Sequence, residues 1–148
     1  MDIIDVVHFY RDNYRYRRLQ PTSVFVFGSN LLGIHGAGSA LDARKYFGAR
    51  LGCGVGFTGR CYAIPTKIDP KTIRSIQDIR DSVELFKKAA RHHPEKNFIV
   101  TPIGTGLSGY DHQEMAQLFL DLPINCAVTR TWVDYIPHVE KTDITDIV

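Results

Sequence analysis

Val24-Phe25-Val26-Phe27-Gly28-Ser29-Asn30-Leu31-Leu32-Gly33-Ile34-His35-Gly36-Ala37-Gly38 is the stretch on which the fold turns. Its apolar, β-branched and aromatic opening reads as a strand, and that strand stops at a glycine. Ser39 to Phe47 then reads as a helix, with Ala40, Leu41, Ala43, Tyr46 and Phe47 able to pack while Asp42, Arg44 and Lys45 face water. Gly48 is placed to end it. A glycine has no Cβ, so a loop of this kind lets backbone N–H groups approach a ligand closely. The start of the helix, at Gly38 and Ser39, adds N–H groups suited to an anion.

The arrangement recurs. All twelve glycines of the chain lie in two clusters, nine between Gly28 and Gly59 and three between Gly104 and Gly109. The second cluster also comes after an apolar run, Phe98-Ile99-Val100, within a strand expected over 97–102. Arg60 to Thr66 reads as another strand, in which Pro65 argues for a strand end. Ser75 to Ala90 is an amphipathic helix with Ile76, Ile79, Val83, Leu85, Phe86 and Ala90 on or near its apolar side. A helix is expected over 112–120 and a last strand over 126–132. Residues 2–16 place Ile3, Val6, Val7, Tyr10 and Tyr14 at helical intervals, so 1–20 is expected to open with a helix. Strands alternating with helices imply an α/β fold with a mainly parallel sheet. Ligands bind such sheets beyond the carboxyl ends of the strands. Both glycine loops and the Lys67 region leave those ends, so they are expected to converge.

Composition narrows the class. At 148 residues, 44% hydrophobic and 23% charged, the chain suits one soluble domain spanning 1–148. A net charge of +2 is no argument for nucleic acid. Arg11, Arg15, Arg17 and Arg18 among Tyr10, Tyr14 and Tyr16 fit either a nucleic-acid contact or a solvated helix end, the second being the commoner use of such a run. No apolar run approaches a membrane span, and no signal-peptide pattern opens the chain. Cys53, Cys61 and Cys126 are odd in number and lack metal-ligand spacing, which suggests a reduced, cytoplasmic setting without a metal. No cofactor is called for.

The first loop is neither a Walker A motif nor GxGxxG. Asn30 offers donor and acceptor to a ribose hydroxyl, or caps a turn. His35 is a turn or packing residue, or a catalytic group. Gly104-Thr105-Gly106-Leu107-Ser108-Gly109-Tyr110 is the more specific signal: closely spaced glycines with Thr105 and Ser108 suit a diphosphate wrapped by amides and hydroxyls. Tyr110 lays its ring on a sugar or pins the loop to the core.

At these loops the chain resembles a macrodomain, the three-layer α/β/α module that binds ADP-ribose. Gly104 to Tyr110 is similar to the family's diphosphate loop, and Asn30 with Gly36-Ala37-Gly38 has the spacing from its ribose-contacting Asn to its glycine run. His35 to Gly48, with Ala63-Ile64-Pro65-Thr66-Lys67, further resembles the branch of terminal ADP-ribose glycohydrolases and chromatin-remodeller macrodomains. The resemblance covers about residues 23–132. It implies binding of ADP-ribose, a related NAD-derived nucleotide or an ADP-ribosylated macromolecule, with Gly28, Ser29, Asn30, His35, Gly36, Ala37, Gly38, Lys67 and residues 104–110 at the ligand. The family's opening strand ends in Gly-Asp, whose Asp reads adenine, and nothing in 1–20 matches it. Trp132 or Tyr135 is left as a stacking partner for the base, with a core role for Trp132 equally open.

Glycohydrolases of that branch pair the lysine with an aspartate in the second loop. Lys67 fits the lysine, Ser108 holds the aspartate's place, and Asp111 lies three positions on. Lys67, Asp111 and His35 are therefore the candidates should the protein be an ADP-ribosyl hydrolase or an ADP-ribose 1″-phosphate phosphatase. A nucleotide phosphoribohydrolase-like fold shares the Phe-Gly-Ser strand end. It expects Pro-Gly-Gly-x-Gly-Thr, from which Pro102-Ile103-Gly104-Thr105-Gly106 departs.

Overall fold

The computed structural model describes residues 4–11 and 18–148. The strand read from Val24 to Phe27 runs Ser23–Asn30 (β2) and lies inside a single sheet. Its Val24 and Val26 face one side and its Phe25 and Phe27 the other, and all four are buried. A strand covered on both faces needs helices on both sides. Parallel neighbours flank it: β4 (Cys61–Asp69) on one edge and β6 (Asn97–Val100) on the other. Beyond β6 come β7 (Cys126–Thr129), β1 (Ile4–Tyr10) and β8 (His138–Asp143), each parallel to its neighbour. Short β3 (Gly56–Thr58) and β5 (Thr72–Ile73) pair antiparallel with β4. The sheet is thus mixed and mainly parallel, in the order β3-β4-β2-β6-β7-β1-β8.

One layer is α1 (Gly38–Tyr46), which packs Ala43, with Phe47 and Ala49 just beyond it, on Phe25, Phe27, Cys61 and Ala63. Leu19, Ile144 and Val148 cover the same face farther along, over Tyr10, Ile99 and Ala127. The opposite layer is α2 (Ile76–Arg91) with α3 (His112–Ala116). Ser75 caps α2 by accepting the Asp78 N–H at 3.2 Å, and Ile79, Val83, Phe86 and Ala90 form its buried stripe. Phe86 meets Tyr62 at 5.2 Å and Phe98 at 5.6 Å between ring centres. The three-layer α/β/α expectation is what this packing delivers.

Four local expectations need correction. Residues 4–10 form a strand, not a helix: Val7, Phe9 and Tyr10 are buried where β1 is wedged between β7 and β8. Tyr14, Arg15, Tyr16 and Arg17 lie outside the described residues. Pro65 sits within β4 rather than at its end, in the gap between the β3 pairing at Ala63 and the β5 pairing at Lys67, where its missing N–H costs no ladder bond on that side. The expected last strand stops at Thr129 and turns into a 3-10 helix over Arg130–Tyr135. Leu85 points to solvent.

Candidate ligand-binding cleft

Because β2, β4 and β6 are parallel, the loops that leave them open on one edge. Register brings Asn30 beside Lys67, and the Leu31 N–H donates to the Lys67 carbonyl at 2.9 Å. Between the loops lies a cleft in two lobes. The first, about 130 Å³, is lined by Gly28, Ser29, Asn30, Gly38, Ser39, Ala40, Thr66, Lys67, Gly104, Gly106, Leu107 and Ser108. The second, about 170 Å³, is lined by Asn30, Ile34, Gly36, Ala37, Lys67, Pro70 and Leu107. Asn30, Lys67 and Leu107 belong to both. Lys67 is the sole charged side chain among these lining residues, and none of them is a carboxylate. Its ammonium has a carbonyl contact, to Pro70 at 3.4 Å.

The first loop is held by its own polar side chains. The Asn30 amide donates to the Ile34 carbonyl at 2.8 Å and accepts the Ile34 N–H at 3.1 Å, closing the loop on itself. The Ser29 hydroxyl donates to the Gly54 carbonyl at 2.5 Å. Backbone packs directly on backbone here: a Cβ on Gly54 would collide with the Asn30 carbonyl, and one on Gly33 with Gly52 and Cys53. Part of the Gly48–Gly59 group thus buttresses the cleft from beneath. At the other end of the loop Ala37 precedes α1 without a side-chain cap, so the N–H groups of the first turn have no acceptor within the helix. Gly38, Ser39 and Ala40 themselves line the first lobe. With Lys67, this makes the edge attractive to an anion.

The second loop bends at Gly104 (φ +79°) and Gly109 (φ +77°). It is tied by Tyr110 N–H to Gly104 carbonyl at 3.0 Å and by the Thr105 hydroxyl to Pro102 carbonyl at 2.6 Å. Gly106 has open space where a Cβ would stand, and Leu107 is exposed at the rim. The buried Ser108 and Thr66 hydroxyls share a 2.8 Å hydrogen bond that pins this loop to β4.

Gly28, Ser29, Asn30, Gly36, Ala37, Gly38, Lys67, Gly104, Gly106, Leu107 and Ser108 are thus brought together. Other expected residues go elsewhere. His35 is fully buried, its Nε2 within 3.1 Å of the Arg50 carbonyl and its ring edge-on to Phe27, so it supports the loop from inside. Asp111 is exposed and caps α3 by accepting the Glu114 N–H at 2.8 Å. The Tyr110 hydroxyl donates to the Arg74 carbonyl at 2.6 Å, which ties this end of the loop to the fold. Trp132 is fully buried and donates its indole N–H to His112 Nδ1 at 3.1 Å. Thr105 and Gly109 shape the loop without lining either lobe. Sequence reasoning missed Ala40, Thr66, Ile34 and Pro70, and named Ser39 only as part of the helix start. Thr66 alone had a signal, a hydroxyl beside Lys67 at a strand end.

No family model matches the chain, and no curated protein does. Solved structures do match it. The macrodomain of Mycobacterium tuberculosis DarG superposes with a TM-score of 0.64 at 19% identity, over 83% of this chain and 97% of that one. The fold is that of a macrodomain. Thermosipho africanus DarTG in complex with ADP-ribose matches with a TM-score of 0.54 at 15% identity, over 73% of this chain but 37% of that longer one. A protein of unknown function from Bacteroides thetaiotaomicron matches with 0.58 at 16%, over 93% of this chain and all of its own (100%). This chain has an opening strand after all, β1, which ends in Tyr10 and is followed by Arg11 rather than ending in Gly-Asp.

Proposed function

We propose that the cleft binds ADP-ribose or a related NAD-derived nucleotide, free or carried on an ADP-ribosylated macromolecule. The observation that carries this reading is the convergence of two glycine loops and the start of α1 on a cleft whose one charged lining residue is Lys67. Amides at 36–38 and 104–109 hold ribose and diphosphate, Lys67 supplies the countercharge, and the remaining hydrogen-bonding capacity of Asn30 serves a ribose hydroxyl. The macrodomain fold supports the ligand class.

Binding needs only these neutral donors and one cation. Hydrolysis needs a base or nucleophile within reach of the reacting carbon, and of the three candidates Lys67 alone lines the cleft. We therefore read the protein as a binder first. Three free thiols fit a reducing, cytoplasmic setting.

Calorimetric titration with ADP-ribose tests the reading. Saturable binding that weakens about 10- to 100-fold in Lys67→Ala, the loss of one charge-assisted contact, is the expected result. Absence of heat with ADP-ribose, NAD and AMP alike would overturn it. Release of ADP-ribose from a modified protein, or of phosphate from ADP-ribose 1″-phosphate, lost in Lys67→Ala, would move the protein to the hydrolases.

A further inference from the structure

The two lobes of the cleft differ in chemistry. The first is walled by glycine backbone, by the uncapped start of α1 and by the Thr66 and Ser108 hydroxyls. The second presents the side chains of Ile34, Ala37, Pro70 and Leu107, and shares Asn30 and Lys67 with the first. Asn30 and Lys67 therefore stand at the neck between a polar lobe and an apolar one. The apolar walls are held in place. Both bonds of the Asn30 side chain fix the backbone of Ile34. The turn that carries Pro70 is closed by the Asp69 carboxylate, which accepts the Lys71 N–H at 2.8 Å and the Thr72 hydroxyl at 3.1 Å. Leu107 rides on the loop that the Tyr110 N–H ties to Gly104. Yet the side chains so held stand in water: Ile34 is 44% and Leu107 73% exposed. Aliphatic groups fixed around an open hollow gain when apolar surface covers them, and little entropy is lost in ordering them.

We propose that the second lobe is a subsite for the group carried on the anomeric carbon of the bound ribose, and that it takes an uncharged, mainly apolar group. The proposal rests on the reading of the cleft as an ADP-ribose-type site, with the diphosphate in the first lobe and the far ribose at Asn30. A group attached to that ribose enters the second lobe between Ile34, Pro70 and Leu107. Contact with these side chains favours apolar surface. A cation there meets Lys67, which repels it, and apolar walls that cannot replace its water. The exposed rim leaves the lobe open to solvent, so the group can be the first part of a larger carrier.

NADH and NAD provide the test, because they carry the same carboxamide ring on the ribose, neutral in one and cationic in the other. Calorimetric titration of the full chain with NADH, NAD, ADP-ribose and ADP is expected to show NADH bound about fivefold more tightly than NAD, or better. Ile34→Ser is expected to weaken NADH about five- to tenfold, the loss of one aliphatic contact, and to leave ADP-ribose and ADP within about twofold. Ile34→Leu keeps an aliphatic side chain at the lobe and should bind NADH within about twofold of the parent. NAD bound as tightly as NADH, or an Ile34→Ser protein that keeps its affinity for NADH or loses as much for ADP, overturns the proposal and leaves the ADP-ribose reading standing. Failure of all four nucleotides to bind overturns that reading, and the proposal with it.

Discussion

Gly104 and Gly106 stand two residues apart in the second loop, and an alanine at each is expected to fail differently. At Gly104 the backbone is left-handed (φ +79°), which costs a residue with a Cβ about 1–2 kcal/mol. The new Cβ would also stand 2.7 Å from Met115 Cε, where ordinary contact begins at 3.4 Å, a shortfall of 0.7 Å. Met115 is a fully buried residue of α3, so the far end of its side chain cannot swing into solvent and must shift within the core. Overpacking of this kind costs about 1–3 kcal/mol, so Gly104→Ala should destabilise the fold by about 2–5 kcal/mol. For a chain of this size that lowers Tm by about 5–20 °C. At Gly106 φ is not positive and a Cβ meets nothing within 4 Å. Gly106→Ala should melt within about 2 °C of the parent, yet its methyl projects where a ligand must approach the amides. A clash of about 1–2 kcal/mol there weakens ADP-ribose binding about tenfold. Thermal unfolding by circular dichroism, with a parallel ADP-ribose titration, separates the two effects. A Gly104→Ala protein as stable as the parent, or a Gly106→Ala protein that binds normally, would refute this account of the loop.

Three further outcomes are expected from the packing. Thr66→Val and Ser108→Ala each break the same buried hydrogen bond, so each should cost about 1 kcal/mol in urea unfolding, and the double variant clearly less than their sum. Trp132→Phe removes the bond to His112 and leaves a gap beside Phe119. It should lower stability by about 1–3 kcal/mol while the dissociation constant for ADP-ribose stays within twofold. Burial pushes the Cys61 and Cys126 thiols up from 9.0 to about 12, so they stay neutral in the fold while the unfolded chain ionises above pH 9. Their stabilisation is complete below pH 9 and is lost as pH rises toward 12, by about 1 kcal/mol per thiol at pH 10. A urea midpoint unchanged between pH 8 and pH 10 would contradict this.

Much of the fold was legible where burial and periodicity agree. β2 announced itself by an unbroken apolar run, and α2 by a stripe from Ile76 to Ala90 behind its Ser75 cap. β1 was misread because Ile3, Val6, Val7 and Tyr10 satisfy helical spacing as well as the pattern of a short buried strand, and only pairing with β7 and β8 decides between them. The site was legible as backbone: glycines at strand ends mark where amides can be approached. Side-chain roles were not. His35, Asp111, Tyr110 and Trp132 have types suited to chemistry or stacking. What they do is set by the Arg50 carbonyl, the start of α3, the Arg74 carbonyl and His112, contacts that exist only once the chain has folded. The Thr66–Ser108 bond spans 42 positions and has no local signature.

The Asn30 clamp on Ile34, the Ser29 tie to Gly54 and the Thr66–Ser108 bond together mean that both walls of the cleft are built before any ligand arrives. Little loop entropy then remains to be lost on association. The kinetic consequence is a one-step encounter. In stopped-flow mixing the observed rate should climb linearly with ligand concentration, without the plateau that a closing lid imposes, and differences in affinity among variants should reside in how fast the complex falls apart.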